Sequence, residues 1–107
     1  MNVSFEAQNV ELSPEWKRQV EDRMAEWSDP RDPIISARST FSYRQGEQPP
    51  AQVSVLANLR GKSIVVTKRG ISIDAALKTV MDCVKREIRE FYDLRAQRRT
   101  RGTRQRH

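Results

Sequence analysis

Between Ser72 and Leu94 the apolar residues Leu77, Val80, Met81, Val84, Ile88 and Phe91 recur at steps of three and four. That period lays one apolar stripe along a helix. Ser72 suits the N-cap, and Asp74 falls in the first turn, where the helix dipole favours a negative charge. A helix with one greasy face is stable only when another surface covers that face. In a chain of 107 residues the covering surface must come from the same small domain.

The remaining segments supply it as strands. In residues 2–7, Val3, Phe5 and Ala7 alternate with Asn2, Ser4 and Glu6. Residues 34–43 place Ile35, Ala37, Ser39, Phe41 and Tyr43 on one face and Ile34, Ser36, Arg38, Thr40 and Ser42 on the other. Residues 51–59 place Ala51, Val53, Val55, Ala57 and Leu59 together. A tight Arg60–Gly61–Lys62 connection leads into Ser63–Thr67, which reads as a hairpin. The outward faces of the second and third strands are mostly polar, so one side of the sheet is expected to be wet. A first helix follows the first strand. Ser13 is its N-cap, Pro14 suits its first position, and Trp16, Val20, Met24 and Trp27 form its stripe. Pro30 and Pro33 stop it, and residues 44–50 form a loop. The order β-α-β-β-β-α predicts a two-layer α+β fold, a four-stranded sheet with two helices on one face.

The second stripe ends at Phe91, Tyr92 or Leu94. Residues 95–107 hold six arginines, Arg95, Arg98, Arg99, Arg101, Arg104 and Arg106, with no acid and no large apolar residue. The expected organisation is a body, 1–94, and a frayed or disordered basic tail, 95–107. The net charge of +6 comes from 20 basic and 14 acidic residues, and the tail carries the whole excess. Within the body, residues 1–33 are acidic and residues 34–94 basic. A basic half joined to a basic tail points to a polyanion: RNA, DNA or an anionic membrane.

Reactive chemistry has little to stand on. The single histidine, His107, is terminal, and Ser-His or Cys-His catalysis needs a positioned imidazole. One Cys and one His give no metal-ligand spacing, and the four glycines form no phosphate-binding loop. No enzyme activity, metal or cofactor is expected. Cys83 cannot form an intramolecular disulfide, and beside Glu87 and Glu90 it reads as an inert surface thiol. Trp16 and Trp27 read as core residues from their spacing, and Tyr43 and Tyr92 as half-exposed. The start of the chain lacks the features of a secretory signal, and no apolar run is long enough to span a membrane. The expectation is a soluble cytoplasmic protein.

The basic residues remain. Lys78, Lys85 and Arg89 fall within about 40° of one another around the second helix, on one flank of its stripe. Arg86 lies further round, and Lys62, Lys68 and Arg69 bracket the last strand. Phosphate oxygens bind such groups without regard to base sequence.

The order of elements and several motifs resemble the ribosome hibernation factors, also called ribosome-associated inhibitors or sigma-54 modulation proteins. The likeness runs from about Met1 to Tyr92. It rests on the opening strand, on the turn Asn9, Val10, Glu11, Leu12, Ser13, Pro14, on the second strand, and on the long helix. There Ala75, Ala76 and Leu77 fit the family's opening run, and Asp82, Val84, Arg86, Ile88 and Arg89 fit its continuation. The resemblance implies a fold like that of double-stranded RNA-binding domains. It implies a partner, the rRNA of the small ribosomal subunit in the mRNA/tRNA channel, and inhibition of translation under stress or starvation. It also implies a monomer off the ribosome with no small-molecule substrate. Arg23, Arg86 and Arg89 keep the basic character of family contact positions. Gly70–Asp74 replaces the family's Asp-hydrophobic-Tyr run, and Glu26, Cys83, Glu90 and Tyr92 stand where the family has lysines. The helical basic face is thus thinner, and the tail is expected to compensate. Two other uses of the scaffold stay open: a module that binds a regulatory protein, and a general binder of duplex nucleic acid.

Overall fold

The computed structural model describes the backbone of residues 1–105 and the side chains of residues 1–97. Six elements follow the expected order: β1 (Asn2–Gln8), α1 (Pro14–Trp27), β2 (Ser36–Tyr43), β3 (Ala51–Leu59), β4 (Lys62–Gly70) and α2 (Ile73–Gln105). The strands lie in the order β1-β2-β3-β4. β1 and β2 are parallel, joined through α1, and the other two pairings are antiparallel. The β3–β4 hairpin turns at Arg60 and Gly61. Gly61 has φ +89°, a left-handed conformation that glycine adopts without strain.

Local chemistry sets the helix starts. Ser13 Oγ accepts from Glu15 N at 3.2 Å, with Pro14 in the first turn. Ser72 Oγ accepts from Ala75 N at 3.1 Å. Both expected N-caps are in place. Ser28 ends α1, donating from its backbone N–H to Met24 O at 3.1 Å.

α2 lies over β3 and β4 and packs against α1. The expected apolar faces meet between the layers. Val20 and Met24 of α1, Phe41 of β2, Val53, Val55 and Ala57 of β3, and Leu77, Val80, Val84 and Ile88 of α2 are all buried. Each of these side chains other than Ala57 contributes roughly 1.5–3 kcal/mol by leaving water. The opposite face of the sheet is open and mostly polar, with Leu56 and Val65 as its apolar exceptions. Across it Ser54 and Thr67 share a hydrogen bond of 2.9 Å, Asn58 Nδ2 donates to Ser36 Oγ at 2.8 Å, and Arg38 pairs with Glu6 at 2.8 Å.

Three expectations are corrected. Ile34 is buried and Ile35 is 56% exposed, the reverse of the face assignment. β2 begins only at Ser36, and strict alternation does not extend ahead of a strand. Instead Ile34 N donates to Ser28 Oγ at 2.9 Å, which fixes that residue against the end of α1. The second correction is the helix end. α2 runs past Phe91, Tyr92 and Leu94 to Gln105. The residues there, Ala96, Gln97, Arg98 and Arg99 among them, are good helix formers that need no apolar stripe. The third is Arg95, which docks on the body, as described below.

Ser39 is fully buried on the helix side of β2, and its hydroxyl has no hydrogen-bond partner among the described residues. An unsatisfied buried donor costs about 1–3 kcal/mol relative to an apolar replacement of the same shape. Ser39→Ala is therefore expected to stabilise the domain by about 1 kcal/mol, read as a higher denaturation midpoint.

Candidate nucleic-acid interface

A groove of about 450 Å³ lies between the two helices, lined by Gln19, Arg23 and Trp27 from α1 and by Asp74, Lys78, Met81, Asp82 and Lys85 from α2. The packing of α1 on α2 creates it. Val20 and Met24 point into the core, so Arg23 and Trp27 fall on the flank that faces α2. Leu77, Val80 and Val84 point down, so Lys78 and Lys85 fall on the flank that faces α1. The expected flank of Lys78 and Lys85 thus becomes one wall of a cleft, and Arg23 stands on the other.

Lys78 and Lys85 form no ion pair among the described residues. Among the described residues Arg23 pairs only with exposed Glu26, at 3.3 Å. An exposed pair of this kind holds by about 1 kcal/mol at most, so its cation is available to another anion. Arg89 lies one turn beyond Lys85 and is exposed. Together these cations present Lys and Arg donors to an anion entering from the helical side.

The other expected residues are distributed differently. Lys68 and Arg86 line a second concavity, between β4 and α2, together with Cys83, Glu87 and Glu90. Arg86 Nη2 lies 3.7 Å from Cys83 Sγ, and the thiol is half-buried against the core. Two carboxylates offset the charge of that concavity. Lys62 is exposed at the start of β4. Arg69 pairs with Glu47, which also pairs with Arg44 at 3.5 Å, so one exposed carboxylate faces two guanidiniums and a cationic surplus remains there.

Arg95 is a structural residue of the body. Its guanidinium pairs with the buried carboxylate of Asp32, donates to Arg60 O, and lies 4.6 Å from the centroid of the Phe91 ring. Beside it Tyr92 OH donates to Asp32 O at 2.9 Å and accepts from Asp29 N at 3.2 Å. These contacts tie α2 to the segment after α1 and to the β3–β4 turn. The side chains of Arg98, Arg99, Arg101 and Arg104, and the whole of Arg106, lie outside the described residues.

The tryptophans divide. Trp16 is stacked on Phe41, with ring centroids 5.5 Å apart, and donates from Nε1 to Asp74 Oδ1 at 2.9 Å. Trp27 is half-buried and lines the groove. Both pack against the core, as their spacing implies, and Trp27, in the last turn of α1, lines the groove as well.

Residues 3–95 match the family described as sigma 54 modulation protein / S30EA ribosomal protein. The chain belongs to that family. The match spans both walls of the groove and the Arg95 cluster. It makes the chain a ribosome-associated protein of the modulation and hibernation class, which acts without catalysis. Solved structures share the fold. The N-terminal domain of Protein Y from Thermus thermophilus has a TM-score of 0.71 at 19% identity, over 85% of this chain and 99% of that one. A ribosomal subunit interface protein from Coxiella burnetii has a TM-score of 0.72 at 16% identity, over 87% and 99%. No curated protein matches the sequence. No helix among the described residues is long and apolar enough to cross a membrane.

Proposed function

We propose that this protein binds the rRNA of the small ribosomal subunit in the channel used by mRNA and tRNA, and so inhibits translation during stress or starvation. The observation that carries the reading is the groove between the helices, where Arg23, Lys78 and Lys85 converge in a chain of a ribosome-associated family. A rigid two-layer domain fills a channel by shape, and its cations hold phosphates on the wall. The arginines after Gln97 add contacts that do not depend on base sequence. The mechanism is occupancy: while the domain is seated, mRNA and tRNA cannot enter. It calls for no cofactor, and the protein acts as a cytoplasmic monomer until it meets the subunit.

Co-sedimentation with purified small subunits across a salt series tests this. Each lost phosphate contact lowers the slope of log affinity against log salt by about 0.7–0.9. The variant R23Q/K78Q/K85Q is expected to lose about 2 to 3 from that slope. Failure of the wild-type protein to co-sediment even at low salt would overturn the proposal.

A further inference from the structure

We infer that the groove between the helices holds one unpaired RNA base, stacked on the indole of Trp27, as well as backbone phosphate. The inference rests on the rRNA-binding reading and names what the groove recognises.

Charge alone makes the groove a weak phosphate site. Its lining carries three cations, Arg23, Lys78 and Lys85, against two carboxylates, Asp74 and Asp82. A site with so small a cationic surplus needs another source of affinity.

Trp27 supplies one. It is half-buried and lines the groove beside Arg23 and Lys85. Unlike Trp16, its ring has no aromatic or cationic partner among the described residues, and its indole N–H has no acceptor there. A buried indole ordinarily has its N–H satisfied. Trp27 packs against the core and also forms part of the wall of an open cleft flanked by cations. That combination, an aromatic platform between phosphate-binding side chains, is how proteins hold single-stranded nucleic acid. Every base has a π-face, so the platform accepts any base that is not already stacked in a duplex. The cavity of about 450 Å³ lies within the ~300–1,000 Å³ typical of sites for small organic groups. Duplex RNA presents no free base face, so the groove favours a bulge, a loop or a flipped-out nucleotide.

The two tryptophans allow a paired fluorescence test. The variant W16F leaves Trp27 as the sole indole, and W27F leaves Trp16. Short single-stranded RNA is expected to quench W16F and leave W27F unchanged. Duplex RNA of the same composition is expected to quench neither. A free nucleoside monophosphate is expected to quench W16F only at far higher concentration, because one phosphate cannot use all three cations. Equal quenching by the monophosphate and the oligonucleotide would mean a free-nucleotide site and would overturn the inference. Trp27→Leu is expected to weaken small-subunit binding about tenfold while leaving the salt slope unchanged, since stacking releases no counterions. Trp27→Phe is expected to recover part of that loss, and the denaturation midpoints of both variants check folding. If W16F is not quenched and Trp27→Leu binds subunits as tightly as wild type, the base-stacking inference fails while the rRNA reading stands. If wild type does not bind subunits at all, the rRNA reading fails on its own experiment.

Discussion

Arg95→Ala is expected to destabilise the domain by about 3 kcal/mol, an effect usual for a broken buried ion pair and large for an arginine next to a basic tail. The Asp32 side chain is only 6% exposed, and that of Arg95 is 29% exposed. Removing the guanidinium leaves the carboxylate buried without a cation. It also strips Arg60 O of its donor and one face of Phe91 of its cover. Asp32→Ala is the gentler change. The guanidinium it leaves behind keeps the Arg60 carbonyl and has a path to water. The double variant D32A/R95A should therefore be more stable than Arg95→Ala alone, because the stranded charge is gone. Urea denaturation of the three variants gives the answer. Strict additivity in the double variant would show that the pair does not act as a unit.

That cluster also marks the limit of what the sequence discloses. Elements with a strong period and a capping residue were legible: both helix starts, the hairpin at Gly61, and the wet and dry faces of β3 all follow from local pattern. Arg95 was not legible. Composition changes sharply at that position, so the residue reads as the first of a tail. Its partners Asp32 and Arg60 lie 63 and 35 residues away along the chain, and no local pattern joins them to it. The groove was half legible. Helical geometry puts Lys78 and Lys85 on one flank of α2, but that Arg23 faces them depends on how α1 docks, which one-dimensional periodicity does not encode. The pairing of Arg69 with Glu47 of the 44–50 loop was likewise not legible, because no local pattern joins β4 to that loop. The reversal at Ile34 and Ile35 has the same origin, since alternation describes residues inside a paired strand, and these two precede it. Trp27 satisfies the helix period and so reads as core. Only the docking of α1 beside α2 shows that it lines a groove as well as packing against the core.

Truncation after Gln97 is expected to lower the salt slope of small-subunit binding by about 4, the largest change on any part of this chain. Five arginines lie beyond that point, Arg98, Arg99, Arg101, Arg104 and Arg106. Each phosphate contact they make accounts for about 0.7–0.9 of the slope. The cut must fall after Gln97 and not after Leu94, because Arg95 belongs to the folded body. A protein ending at Gln97 retains the Asp32–Arg95 pair and should unfold within about 0.5 kcal/mol of the full chain, as changes remote from buried features do. A protein ending at Leu94 loses the pair and should show the same loss of stability as Arg95→Ala. Comparing the two cuts by denaturation and by co-sedimentation separates the arginine that holds the fold from those that reach for RNA. A slope unchanged by the Gln97 cut would mean that the terminal arginines touch no phosphate. Seating on the subunit would then fall entirely to the groove, whose cationic surplus is a single charge and whose remaining means of holding RNA is the face of Trp27.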